Sequence, residues 1–141
     1  MEWAVSQDYH LFLANIDIDN FKEYNDRYGH FEGDKVLITL ADIVEDCTRH
    51  NVDLAFRLGG DEFVVLLPQT SADQATEIVQ RILLKFLEEN FGKTGLSISI
   101  VSCERKPDMT IEEDLARMKG KADKAMYEAK KSGKNCVVCR L

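Results

Sequence analysis

Short apolar runs alternate along the chain with longer stretches of helical periodicity. Five runs of four to six residues, each bounded by turn-forming or polar residues, have the length of strands. The second and third are joined by Gly59-Gly60-Asp61-Glu62, which is typical of a β-hairpin because glycine adopts a positive φ at no steric cost. The predicted strands cover residues 11–16, 54–58, 63–67, 96–101 and 136–139.

Four other stretches predict helices. The first is short and ends near Gly29, and the second has apolar residues at helical spacing. Ser71 and Thr110, each followed three residues later by Gln or Glu, are typical of capping boxes that begin the other two. The last helix should bury Leu115 and Met118 on one face. The first two predicted helices cover residues 21–28 and 33–47. The third follows Ser71, with apolar residues between 75 and 87, and the fourth follows Thr110 and ends near Gly133.

The predicted order of elements is β-α-α-β-β-α-β-α-β. A hairpin between helix-flanked strands favours an α+β fold, with a mostly antiparallel central sheet flanked by helices, over a doubly wound parallel sheet. A length of 141 residues fits one domain, residues 1–141, around one core.

Composition and charge narrow the functional classes. The chain is 45% hydrophobic and 30% charged, as is ordinary for a globular protein, and no apolar run reaches the roughly 18 residues of a membrane span. We see no signal peptide, so we expect a cytoplasmic protein and no membrane partner. The net charge of −7 argues against nucleic acid as a partner. A small phosphorylated ligand stays possible if a metal screens it from the acids.

Cys136 and Cys139 form a C-x-x-C pair, but a zinc ribbon needs a second such pair. Because both lie in a predicted strand, residues three apart should face opposite sides of the sheet. We interpret them as small buried apolar residues.

Two acidic clusters are the candidates for chemistry. Asp17-Ile18-Asp19 follows the first strand, and Asp61-Glu62 lies in the hairpin turn. If the hairpin pairs beside the first strand, Asp17 and Asp61 approach each other, and two close carboxylates repel unless a cation lies between them. Mg²⁺ suits such a pair together with phosphate oxygens. The alternative is that both are ordinary turn residues.

Four motifs give the chain a family resemblance. The segment Arg57-Leu58-Gly59-Gly60-Asp61-Glu62-Phe63 resembles the signature of GGDEF-domain diguanylate cyclases, and Asp17-Ile18-Asp19-Asn20-Phe21-Lys22 resembles the family's D-I-D-x-F-K stretch. The order and spacing of the remaining motifs also resemble the family, whose fold is a palm-like βααββαβαβ domain. These motifs are Asn25-Asp26 with Tyr28-Gly29-His30 and Gly33-Asp34, then residues 122–130, and then Ser132-Gly133-Lys134-Asn135.

The resemblance implies a role for each site residue. Asp17, Asp61 and Glu62 would hold Mg²⁺ or Mn²⁺, two ions per active site, with help from the carbonyl of Ile18. Asp61 would activate the attacking hydroxyl, directly or through the metal, with Glu62 and Lys22 as the other catalytic residues. Gly60 would let the backbone approach the ribose. The remaining contacts to GTP are implied for Asn25, His30 and Asp34 at the guanine and for Lys22, Lys130 and Lys134 at the phosphates.

The implied reaction joins two GTP molecules into cyclic di-GMP with release of pyrophosphate, in a homodimer with one GTP per subunit. The alternative is an inactive GGDEF module that binds GTP or a partner protein as a regulatory domain; a polymerase-type palm or a class III nucleotidyl cyclase is a more distant one. The family's D-x-L-T-G-L-x-N-R-R segment has no counterpart between Met1 and His10. We therefore expect one module of a longer protein, with sensor or receiver domains as further partners.

Many relatives carry an inhibitory Arg-x-x-Asp site for the product just before the hairpin. By position the acid is Asp53, but the arginine position holds His50, and Arg49 lies one residue too early. Histidine cannot make a forked contact to guanine and phosphate. We expect weak or absent product inhibition, unless Arg49 turns and substitutes.

Overall fold

The computed structural model describes residues 10–104 and 106–140, and of His10 only the backbone. A five-stranded sheet in the order β2-β3-β1-β4-β5 forms its centre. The strands are β1 (His10–Asp19), β2 (Leu54–Gly59), β3 (Glu62–Thr70), β4 (Gly95–Cys103) and β5 (Cys136–Arg140). The helices are α1 (Phe21–Tyr28), α2 (His30–Cys47), α3 (Ala72–Glu88) and α4 (Ile111–Lys131).

The pairing of the strands confirms the α+β prediction. β1 lies in the middle and pairs antiparallel with β3 and β4, and β2 pairs antiparallel with β3 as the second strand of the hairpin. Only the β4–β5 pair is parallel within the described residues. The order of elements is the predicted βααββαβαβ order.

Helices cover both faces of the sheet. In β1, Phe12, Ala14, Ile16 and Ile18 alternate toward the larger core, which α1, α2 and α3 complete. On the other face, Val101 of β4 packs with alanines of α4 in a smaller cluster. β4 is buried on both faces, which explains why its serines lie among apolar residues. Both faces of the sheet are thus packed against helices.

The capping boxes predicted from the sequence are both present. Ser71 accepts a hydrogen bond from the backbone of Gln74 at 3.2 Å, and Thr110 accepts one from that of Glu113 at 3.1 Å. In each box the Gln or Glu side chain also accepts a hydrogen bond from the backbone N–H of the capping residue. Helices α3 and α4 therefore begin where the capping residues in the sequence indicate.

Two details differ from the sequence prediction. Helix α2 begins at His30, three residues before the expected start, because exposed His30 and Phe31 lack the apolar periodicity on which the prediction relied. The prediction that Leu115 is buried is wrong: it is 55% exposed, because it borders an open pocket between α4 and the sheet, which Leu13 and Phe56 also line. β2 is an exposed edge strand.

Cys136 and Cys139 face opposite sides of β5, as expected. The Cys136 thiol donates to the carbonyl of Ala129 on α4 at 3.4 Å, whereas Cys139 packs against the larger core. Both are half-buried, so the expectation of full burial is only partly correct. Among the described residues every cysteine is a free thiol. No helix in the described part of the chain has the length and apolar character needed to cross a bilayer.

Candidate metal and nucleotide site

The two acidic clusters meet at one edge of the sheet. The register of β1 and β3 places Asp17 opposite Glu62, and the backbone N–H of Ile18 donates to the carbonyl of Asp61 at 3.2 Å. The hairpin thereby holds its turn beside the end of β1. Ile18 itself is buried in the core, so only its backbone is available to a ligand.

The carboxylate of Asp17 acts electrostatically on that of Asp61. Burial, first, and the negative charge of Asp17, second, raise the pKa of Asp61, and Lys130 offsets this only in part. One carboxylate oxygen of Asp17, Oδ1, is buried and has no hydrogen-bond partner. Such a pair of carboxylates favours a cation between them.

Lys130, at the C-terminal end of α4, brings its ammonium group to this edge. Its Nζ lies 2.8 Å from Oδ2 of Asp17 and 3.2 Å from Oδ1 of Asp19. Burial alone would lower the pKa of Lys130, but the hydrogen bonds and charges of the two aspartates outweigh burial and raise it. In this structure the lysine therefore lies against the acids, and its contact with phosphates stays a prediction.

The loop after α4 brings a second lysine to the same edge. Nζ of Lys134 donates to Oδ1 of Asn20 at 3.0 Å, and both residues have left-handed backbone conformations, with φ of 65° and 61°. Asn20 also donates to the carbonyl of Lys93 at 3.0 Å. Three separate segments are thus tied together beside the carboxylates.

The backbone of the hairpin turn is open to approach by a ligand. Gly59 and Gly60 have φ of 146° and 50°, and an added Cβ at Gly60 would meet open space. Arg57 braces the turn, because its Nε donates to the carbonyl of Gly60 at 2.8 Å. The turn is therefore both exposed and fixed, as a ribose contact at Gly60 would require.

The expected guanine contacts lie on α1 and α2. Asn25 folds over Gly33 so closely that a Cβ on the glycine would be 1.7 Å from Oδ1 of Asn25. That oxygen is buried and has no hydrogen-bond partner. Asp34 follows on the next position of α2 and is exposed, as is His30 at the start of the helix. Lys22 is also exposed, in the first turn of α1.

The donors present suit a hard divalent cation. Within the described residues, no three or more His, Cys, Asp or Glu side chains converge as a ready-made cage. Mg²⁺ needs none, since it is usually bound by one or two carboxylates with waters and substrate phosphates. The partnerless oxygen of Asp17 beside Asp61 fits this pattern, with Glu62 across the strand pair as a further candidate.

Arg49 and Asp53, in the segment where a product-inhibition site was predicted to be weak or absent, form an ion pair with each other. Nη2 of Arg49 lies 2.7 Å from Oδ1 of Asp53, whose side chain is fully buried. The same Nη2 donates to the carbonyl of Pro68 at 2.6 Å. Nε of Arg49 also donates to both oxygens of Asp53. This arginine is occupied in holding the segment before β2.

No pattern in the sequence indicated a role for Asp19. Nor did any indicate the contacts by which Arg57 and Asn20 hold the neighbouring loops. Asp19 is 1% exposed and accepts three hydrogen bonds. The only signal in the sequence was its position in the Asp17-Ile18-Asp19 cluster.

Comparisons with known proteins identify the family to which the chain belongs. The sequence matches the profile of the GGDEF domain of diguanylate cyclases over residues 1–136. It is 40% identical over 136 residues to diguanylate cyclase DgcM of Escherichia coli (strain K12), which covers 96% of this chain and 32% of that protein. The chain thus spans about a third of the length of this curated relative.

Two solved structures are similar over almost the whole chain. One is the active GGEEF domain of a diguanylate cyclase from Vibrio cholerae, with a TM-score of 0.82, 30% identity and coverage of 99% of this chain and 89% of that chain. The other is the GGDEF domain of DgcB from Caulobacter crescentus in complex with c-di-GMP, with a TM-score of 0.78, 26% identity and coverage of 98% and 82%. This chain therefore belongs to the GGDEF domain family of diguanylate cyclases.

Proposed function

We propose that this chain is a diguanylate cyclase domain that converts two GTP molecules into one cyclic di-GMP and two pyrophosphates. The observation that carries the proposal is the pair of facing carboxylates, Asp17 and Asp61, one with a buried partnerless oxygen, beside the ammonium group of Lys130. The relatives named above as diguanylate cyclases support the same reaction.

The acids would hold the metal. Asp17 and Asp61, with Glu62 and the carbonyl of Ile18, would bind Mg²⁺ or Mn²⁺, two ions per site. Bound metal would neutralise the charge that develops on the transferring phosphate and lower the pKa of the attacking hydroxyl. Asp61 would activate the 3′-hydroxyl for attack, directly or through the metal.

The lysines would hold the triphosphate. Lys130 and Lys134 lie at the edge where the carboxylates meet, and a lysine ammonium is a compact point charge suited to phosphate oxygens. Lys22, exposed in the first turn of α1, has room to reach the same ligand. Their role is positioning and charge neutralisation, which are the main sources of rate in phosphoryl-type transfers.

The guanine would be recognised between α1 and α2. The carboxylate of Asp34 can accept two hydrogen bonds from the N1–H and 2-amino groups of guanine, a pair of donors that adenine lacks. The buried, partnerless oxygen of Asn25 needs a donor of the same kind. His30, exposed at the start of α2, would lie close by.

The chemistry requires two copies of the chain, each with one GTP. The 3′-oxygen of each GTP forms a bond to the α-phosphorus of the other, the bond to pyrophosphate breaks, and the hydroxyl proton leaves to a base. Because one subunit offers one such nucleotide site, the homodimer is part of the proposal. So are a cytoplasmic setting and a sensor or receiver domain elsewhere in a longer protein.

The test compares GTP turnover of the wild type with Asp17→Asn and Asp61→Asn in Mg²⁺ or Mn²⁺. Asp42→Asn, on the exposed face of α2, is the matched control. We expect both site variants to lose product while keeping their melting temperature, and to bind Mn²⁺ more weakly without nucleotide. Full activity in either site variant contradicts the metal assignment. Binding of GTP by wild type without any turnover favours the inactive regulatory module instead.

A further inference from the structure

Asp19 has no place in the function proposed so far, although it belongs to the acidic cluster at the end of β1. Its side chain is 2% exposed, whereas that of Asp17, two residues earlier, is 25% exposed. A ligand that reaches Asp17 from solvent therefore does not reach Asp19. Its two oxygens are already used by groups of the protein itself.

Three donors from three elements converge on Asp19. Oγ of Ser97, on β4, donates to Oδ1 at 2.6 Å, and Nζ of Lys130, on α4, donates to the same oxygen at 3.2 Å. The backbone N–H of Asn135 donates to Oδ2 at 2.7 Å. Each oxygen of this buried carboxylate therefore already accepts a hydrogen bond from the protein.

Two of these three contacts lead to the residues assigned to the triphosphate. Lys130 is one of those residues. Asn135 belongs to residues 132–135, here called the closing loop, which also carries Lys134. The closing loop is fixed a second time, because the backbone N–H of Leu96 donates to Oδ1 of Asn135 at 3.2 Å.

Lys130 is shared between an exposed and a buried acid. It lies 2.8 Å from Asp17, the acid assigned to the metal, and 3.2 Å from Asp19. Anything that engages Asp17 competes with the lysine for that carboxylate. Because Asp19 is buried, such a ligand does not reach it, and its contact with Lys130 remains. The ammonium group therefore stays at the edge of the site.

We propose that Asp19 is a positioning residue that holds Lys130 and, through Asn135, Lys134 at the triphosphate position of the site. This proposal rests on the function proposed above and assigns Asp19 no contact with substrate. Asparagine at this position has one acceptor oxygen and one donor group in place of two acceptors. Its amide N–H must therefore face at least one of the three donors from which Asp19 now accepts a hydrogen bond.

The test compares wild type with Asp19→Asn, with Asp123→Asn as the control. Asp123 also pairs with a lysine on α4, since its Oδ1 lies 3.3 Å from Nζ of Lys119, but both side chains are exposed. The ligands are GMP and a GTP analogue with a methylene group between the α- and β-phosphorus, which cannot release pyrophosphate. Calorimetry with Mg²⁺ gives both affinities.

We expect Asp19→Asn to weaken binding of the analogue about tenfold or more and binding of GMP far less, because GMP lacks the outer phosphates. Asp123→Asn should match the wild type. In a double-mutant cycle, Asp19→Asn should have a smaller effect when Lys130→Gln is already present, because the two act through one contact. Equal losses for both ligands, or strict additivity with Lys130→Gln, would overturn the positioning role.

A second measurement needs no variant and stands if Asp19→Asn does not fold. Hydrogen exchange of the Asn135 amide, which donates to Asp19, should stay slow both without ligand and with the bound analogue. Loss of that protection on binding would contradict the proposal. If wild type binds the analogue no better than its adenine counterpart, the proposed function fails, and the role of Asp19 with it. If wild type binds it and Asp19→Asn binds it equally well, only the positioning role fails.

Discussion

Replacement of Gly33 by alanine separates the proposed guanine contact of Asn25, on α1, from the stability of α2, which carries Gly33. Gly33 lies buried in α2, where a Cβ would come within 1.7 Å of Oδ1 and 2.8 Å of Cγ of Asn25. No real contact is that short, so the Asn25 side chain must move out of its present place. A side-chain end moves more easily than backbone, so the helix should keep its course.

Two opposite effects follow from Gly33→Ala. Alanine inside a helix is favoured over glycine by roughly 0.5–1 kcal/mol, which raises the free energy of unfolding. The displaced Asn25 loses its packing on Gly33, so the net change in melting temperature should be small. Loss of one hydrogen bond to guanine costs about 1 kcal/mol, which is roughly a fivefold weaker affinity for GTP.

The matched control is Gly120→Ala. Gly120 lies on the exposed face of α4, and a Cβ there would meet nothing within 4 Å. It should gain the helix-forming preference of alanine, about 0.5–1 kcal/mol, with unchanged GTP affinity. Thermal melting and calorimetric titration with a GTP analogue measure both quantities. Wild-type GTP affinity in Gly33→Ala would refute the role given to Asn25.

Three further predictions concern the base, the product and the assembly. Asp34→Ala should weaken GTP binding about tenfold or more while leaving ATP binding nearly unchanged, since adenine lacks the two donors; equal losses in titrations with both nucleotides would count against it. Cyclic di-GMP should bind weakly beside Arg49, which is held by Asp53 and Pro68; sub-micromolar calorimetric binding that disappears in Asp53→Ala would show a working inhibitory site. Activity per subunit should rise with protein concentration in the dilute range; a constant value down to monomeric protein would exclude the dimer requirement.

The sequence predicted the elements well because local patterns determine them. The hairpin was visible from its glycines, and the helix starts at Ser71 and Thr110 were visible from their capping residues. The start of α2 was predicted three residues late, because His30 and Phe31 contribute no apolar periodicity there. Exposure of Leu115 follows from the open pocket that it lines together with residues of the sheet, and no local pattern contains that pocket.

The site was predictable only where the pairing of two strands brings their motifs together. The approach of Asp17 to Asp61 followed from the hairpin lying beside β1. The role of Asp19 did not, because its partners Ser97, Lys130 and Asn135 are 78, 111 and 116 residues away. Contacts at such separations come from the fold as a whole.

The most direct test of the central claim is the stoichiometry of GTP turnover. Purified protein at a concentration that favours dimers is incubated with GTP and Mg²⁺ or Mn²⁺, and nucleotides and pyrophosphate are quantified by chromatography and mass spectrometry. We predict one cyclic di-GMP and two pyrophosphates for every two GTP consumed, and none with Asp61→Asn. Intact GTP after long incubation with protein that demonstrably binds it, or GDP and phosphate as the products, would contradict the assignment as a diguanylate cyclase.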